Sequence, residues 1–158
     1  MMTINEYLER DIIREEEYRE VPYLDSNGLW TFGIGTCLER SPLTAAQWKL
    51  LLDAQTIEVR ITLLGAQMLM REKLNSVITS LRSSILVWNS LNEVRQRVLI
   101  SMGYQMGAGF VQEFPKFIAA VNRFDWKTAA IEGLDSKWAR KDSPNRAKRL
   151  MNQFERGE

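Results

Sequence analysis

The chain has 158 residues, of which 45% are hydrophobic and 26% charged, with a formal net charge of +1. That is one domain-sized unit, long enough to bury a core. The single cysteine, Cys37, excludes an internal disulfide, and with no run of about 18 apolar residues a membrane span is not expected. There is no histidine, so acid/base chemistry near neutral pH falls first to carboxylates.

Thr3-x-x-Glu6 has the form of a capping box, and Ile4, Tyr7, Leu8 and Ile12 after it make one apolar helical stripe. Continued, that stripe has Glu15 near its centre, Glu16 at its edge and Glu17 on the far face. Periodicity therefore removes Glu17 but does not separate Glu15 from Glu16. Pro22 closes the helical possibility. Asp25-Ser26-Asn27-Gly28, between Val21–Tyr23 and Leu29–Phe32, reads as the turn of a β-hairpin. Gly33 and Gly35 then permit a tight backbone free of side chains.

From Thr44 the pattern is helical to the end. Thr44-x-x-Gln47 repeats the capping-box form, Gly65 is expected to break or end that helix, and Met68 to Leu81 keeps helical spacing. Ser90-x-x-Glu93 is expected to open an apolar helix that stops at Gly107. Asp125 and Ser143-Pro144 are predicted N-terminal caps. Trp88, Trp126, Trp138, Met68, Met70, Met102 and Met106 are assigned to the core. The expected class is α+β in a single domain, with a small hairpin-bearing lobe over about 1–60 and a larger helical lobe over about 61–158.

Charge is unevenly spread. Residues 1–40 carry nine Asp/Glu against four Lys/Arg, a balance of −5, and the remainder carries +6. Lys137, Arg140, Lys141, Arg146, Lys148 and Arg149 form the basic cluster. An acidic lobe facing a basic one suits a cleft, and a solvated basic helix accounts for the charge equally well. The acidic N-terminal segment has no apolar core of a secretory signal, so a cytoplasmic origin is expected. Two carboxylates around a turn, one from a helix end and one from a loop, are the minimal equipment for cleaving a glycosidic bond.

The spacing E-x8-D-x5-T-x-G-x-G, filled by Glu16, Asp25, Thr31, Gly33 and Gly35, resembles the active-site signature of phage-type lysozymes, glycoside hydrolase family 24. The blocks WNSLNEVRQRVLISMGYQMG (Trp88 to Gly107), DSKW (Asp135 to Trp138) and SPNRAKR (Ser143 to Arg149) are similar to the lysozymes of T-even phages. The resemblance implies a lysozyme-like fold with a cleft between its lobes. It also implies a muramidase that cuts the β-1,4 bond between N-acetylmuramic acid and N-acetylglucosamine in peptidoglycan. It selects Glu16 over Glu15 as general acid, has Asp25 activate a water across the sugar, and has Thr31 position that water. Tyr104 and Gln105 match an aromatic–Gln pair of the groove, and Arg146 matches an arginine that reaches the catalytic glutamate. Phe117 and Glu132 fall on groove positions where the family has a small hydroxyl and an amide. Cys37 falls on a cleft-side position, where a small buried hydrophobe is the bland alternative. Thr36 stands where a histidine commonly follows the G-x-G, and the stretch 41–85 departs from the family pattern.

The implied protein is a monomer without metal or cofactor, with peptidoglycan as its partner and no nucleic-acid or membrane ligand. The expected role is an endolysin in the host cytoplasm that reaches the wall through a holin lesion; a virion-associated lysozyme used in host penetration is the alternative. Two readings from other classes compete. A peptidoglycan-binding module without turnover has little need of the complete Glu16–Asp25–Thr31 set. A nucleic-acid binder using Lys137 to Arg149 needs a dominant basic field, which near-zero net charge does not supply.

Overall fold

The computed structural model describes residues 4–38, 40, 43–44, 46–47, 62–107 and 109–158. Thr3, Trp48 and the continuation of the Thr44 helix lie outside them. The chain forms two compact units, Met1–Lys73 and Leu74–Glu158, the division falling inside one long helix.

In the first unit, α1 (Ile4–Glu16) buries Leu8 and Ile12 of the expected stripe. It packs on β2 (Trp30–Ile34), whose Phe32 and Ile34 are fully buried. Burying side chains of this size contributes about 1.5–3 kcal/mol each. β1 (Tyr18–Leu24) pairs antiparallel with β2, and β2 with a short β3 (Thr36–Cys37), in the order β1-β2-β3. Pro22 falls where the β1–β2 register shifts, between Arg19 and Tyr23, as expected of a residue that cannot donate to the ladder. The Thr44 capping box is reciprocal. Gln47 N donates to Thr44 Oγ1 at 3.2 Å and Thr44 N donates to Gln47 Oε1 at 2.8 Å.

The next helix, α2 (Leu63–Ser84), corrects the reading of Gly65 as a helix end. Gly65 lies in its first turn, where its N–H donates to Thr62 Oγ1 at 3.1 Å. Met68 on this helix is exposed, whereas Met70 is fully buried.

The second unit follows a 3-10 turn at Trp88–Ser90 with α3 (Glu93–Met106), α4 (Phe110–Glu113), α5 (Pro115–Asn122), α6 (Trp126–Leu134), a π turn at Trp138–Asp142 and α7 (Pro144–Arg156). α6 packs on α5 and α7, and α3 on α7. The cap of α3 is Asn92, whose side chain accepts from Arg95 N at 3.0 Å; Ser90, the expected cap, sits inside the 3-10 turn. Gly107 ends α3 as predicted, with φ +91°. Asp125 caps α6 through its side chain. Ser143 stands at the cap position of α7 but makes no capping bond; its hydroxyl receives Gln105 Nε2 at 2.6 Å instead. Trp88 and Trp138 are core, as expected. Trp126 is only half-buried, held between the Arg95 guanidinium, 4.2 Å from its ring centroid, and the rings of Phe124 and Phe154.

Candidate active site

Glu16 is the last residue of α1, and Glu17 after it takes the left-handed region at φ +56°. That turn swings the chain into β1, where Tyr18 pairs with Ile34, so the end of α1 comes alongside the Gly33–Gly35 segment. Gly35 also has positive φ, +62°, and a Cβ built on it would lie 2.7 Å from Glu16 Oε2 and 3.1 Å from Glu16 Cβ. The half-buried Glu16 carboxylate thus occupies the space that a side chain at 35 would fill. Glu15 turns to Arg14, with Oε1 3.5 Å from Nη2. Tertiary packing separates the two glutamates that periodicity left equivalent.

Asp25 sits at the mouth of the hairpin turn. Its Oδ1 accepts N–H bonds from Asn27 at 2.8 Å and Leu29 at 2.9 Å, while its own N–H donates to Leu29 O at 2.9 Å. The Leu29 bond chiefly holds the carboxyl below its ordinary value. Partial burial opposes this, and Asn27 and the Arg40 charge reinforce it. The group is therefore oriented by the turn and ionised at neutral pH.

Thr31 is buried in β2 and its hydroxyl donates to Leu29 O at 3.3 Å. Its cross-strand partners are Tyr23 on β1 and Cys37 on β3. Directly opposed residues share a sheet face, so Tyr23, Thr31 and Cys37 form one row across the sheet. Tyr23 was not singled out from sequence, because a lone tyrosine in a strand carries no signal without its register. Burial pushes its phenol up, the Arg19 guanidinium stacked 4.5 Å from its ring centroid opposes that, and the Glu16 and Asp25 carboxylates push it further up. The neutral phenol thus stands in the field of both carboxylates.

The remaining predicted groove residues belong to the helical unit and divide into two kinds. Tyr104 and Phe117 are each only 1% exposed, and Phe117 packs among Phe114 and Phe154. Both are core side chains of the helical unit. Gln105 engages both ends of its amide inside the unit, donating to Ser143 Oγ and accepting from Trp138 Nε1 at 2.9 Å. Glu132 and Arg146 are half-buried, and Arg146 Nη2 donates to Ser101 Oγ at 3.1 Å.

A small three-stranded antiparallel sheet near the N-terminus, followed by a mostly helical remainder, defines the class of fold: lysozyme-like α+β. Residues 14–156 match the phage lysozyme family, and the chain belongs to it. It is therefore a hydrolase of peptidoglycan. A probable T4-type lysozyme of Dictyostelium discoideum is 27% identical over 161 aligned positions, which span 94% of both chains. A second probable T4-type lysozyme of that organism is 26% identical with the same coverage. The pre-baseplate central spike protein Gp5 of Enterobacteria phage T4 is 32% identical over 147 positions, 87% of this chain but 25% of Gp5.

Proposed function

We propose that the protein is a muramidase that hydrolyses the β-1,4 bond between N-acetylmuramic acid and N-acetylglucosamine by a single inverting displacement. The observation that carries this reading is a pair of carboxylates flanking one small sheet, one at the end of α1 and one in the β1–β2 turn. Glu16 lies over the bare Gly35 backbone, and Asp25 is pinned and charged by turn N–H groups. Glu16 gives its proton to the glycosidic oxygen as the C–O bond breaks. Asp25 takes a proton from the water that attacks the opposite face of the sugar. Thr31, with its hydroxyl hydrogen committed to Leu29 O, offers oxygen lone pairs to the same water. A positioned general acid contributes on the order of 10²–10⁴ in rate, and the transition state has oxocarbenium character. Cys37, opposite Thr31 in the sheet, keeps exposed surface to meet the glycan in this reading.

The test is digestion of purified Gram-negative peptidoglycan by wild type, Glu16→Gln, Glu15→Gln and Asp25→Asn, followed by borohydride reduction of the new ends. Clearing by wild type and Glu15→Gln alone, with muramitol as the reduced end, is the expected result. Glucosaminitol ends, or clearing by Glu16→Gln, would overturn it.

The biological role that fits is an endolysin, made in the host cytoplasm and admitted to the wall by a holin lesion. A specific observation favours a second role: most of this chain resembles a quarter-length portion of a phage spike protein, which supports use on the virion in host penetration. Mass spectrometry of purified particles against cleared lysate separates the two.

A further inference from the structure

Lys73 stands on α2, remote in sequence from the E-x8-D-x5-T signature. Its Nζ donates to the carbonyl of Gly35 at 3.3 Å. Gly35 is the residue whose missing side chain leaves room for the Glu16 carboxylate, so a cation is fastened to the peptide on which that carboxylate rests. The helix that carries Lys73 is itself anchored. Arg71 Nε and Nη2 donate to the two carboxylate oxygens of Glu9 at 2.9 and 3.0 Å, a forked pair that ties α2 to α1 two turns before Glu16. On the same stretch of α2, Ala66 and Met70 are buried. The ammonium is thus delivered to Gly35 by a helix held in place at several points.

We propose that Lys73 is a positioning residue for glycosidic cleavage, fixing the Gly35 peptide under Glu16 and setting a positive charge near the proton donor. The inference rests on Glu16 being that donor. When Glu16 transfers its proton it turns from a neutral acid into a carboxylate. A nearby fixed cation favours the charged state over the neutral one, so its effect grows toward the transition state and is absent from ground-state binding. Holding the peptide also limits the drift of the carboxyl from the glycosidic oxygen. Lys73 acts through Gly35 and Glu16 and does not itself touch the sugar. Its signature is therefore a change in kcat without a matching change in KM.

The experiment compares wild type, Lys73→Met, Lys73→Arg and Glu16→Gln on soluble uncross-linked peptidoglycan strands, measuring kcat, KM and melting temperature. The expected result is a loss of kcat on the order of tenfold for Lys73→Met, a fraction of the 10²–10³ that removing a directly contacting donor costs. KM should stay within about twofold, and Lys73→Arg should recover most of the loss because it restores both charge and donor. Should Lys73→Met melt near the assay temperature, Lys73→Gln, which keeps a donor without charge, takes its place with a smaller but measurable expected loss of kcat. Wild-type kcat in the uncharged variant, or equal losses in the uncharged variant and Lys73→Arg, would overturn the inference. Inactive Glu16→Gln with normal Lys73→Met removes only the role of Lys73, whereas active Glu16→Gln removes the acid assignment itself.

Discussion

Replacing Gly35 by alanine tests the active-site geometry most directly, because the structure separates its two effects. The backbone there has φ +62°, which costs a residue bearing a Cβ about 1–2 kcal/mol. The added Cβ would also lie 2.7 Å from Glu16 Oε2, roughly 0.8 Å inside the ~3.5 Å at which nonbonded contact becomes favourable. The carboxylate must retreat by most of that distance, since Glu16 Cβ, at 3.1 Å, is tied to the helix. A displacement of about 1 Å in a catalytic group costs on the order of 100-fold, so the expected loss of muropeptide release is roughly 30- to 100-fold. Gly28→Ala is the matched control: φ is +76° and nothing lies within 4 Å of the added Cβ. Both variants should melt about 2–8 °C below wild type, but only Gly35→Ala should lose turnover. Equal activity losses in the two variants, or a fully active Gly35→Ala, would refute the placement of Glu16 over Gly35.

Three further outcomes follow from particular contacts. Because the folded Asp25 carboxyl is held below its ordinary value, its contribution to stability is present above the unfolded pKa near ~3.9 and is lost as pH falls through the lower folded value. Melting curves of wild type and Asp25→Asn should therefore differ at pH 6 and converge on acidification below about pH 4; a difference that widens there contradicts the Leu29 and Asn27 bonds. Glu17→Gly removes a non-glycine residue from φ +56° and should raise the melting temperature by about 1–4 °C, from a net gain of roughly 0.5–1 kcal/mol; a lower value contradicts the left-handed turn. Asn92→Ala deletes both the cap on Arg95 N and the bond from Nδ2 to Gly157 O, 3.0 Å each, and should cost about 1–2 kcal/mol in urea unfolding. Ser90→Ala, by contrast, should be near neutral, and the reverse order would restore Ser90 as the cap.

The parts of this protein that were legible in its residues are those closed by bonds between near neighbours. The Asp25–Leu29 turn, the Thr44–Gln47 capping box, the Asp125 cap and the Gly107 stop each join residues within four positions. A local pattern contains both partners in each case. The stripe of α1 likewise announces which side is buried, through Leu8 and Ile12. Errors arose where two local solutions were equally good, as with Ser90 and Asn92, or Gly65 as a stop and as a first-turn residue. Ser143 shows a third case: the cap position was right, but a partner 38 residues away took the hydroxyl.

By itself, the sequence determined an α+β chain in which carboxylates are the first candidates for acid/base chemistry, and periodicity left Glu15 and Glu16 equivalent before any likeness to lysozymes was used. Tertiary structure places the two differently, pairing Tyr18 with Ile34 and laying Glu16 over Gly35. It also decided that Tyr104 and Phe117 are core, that Tyr23 and Cys37 flank Thr31, and that Lys73 reaches Gly35. The physical reason is range. Hydrogen bonds within a turn are selected by the residues of that turn, whereas burial and charge placement depend on which distant segments the folded core brings together.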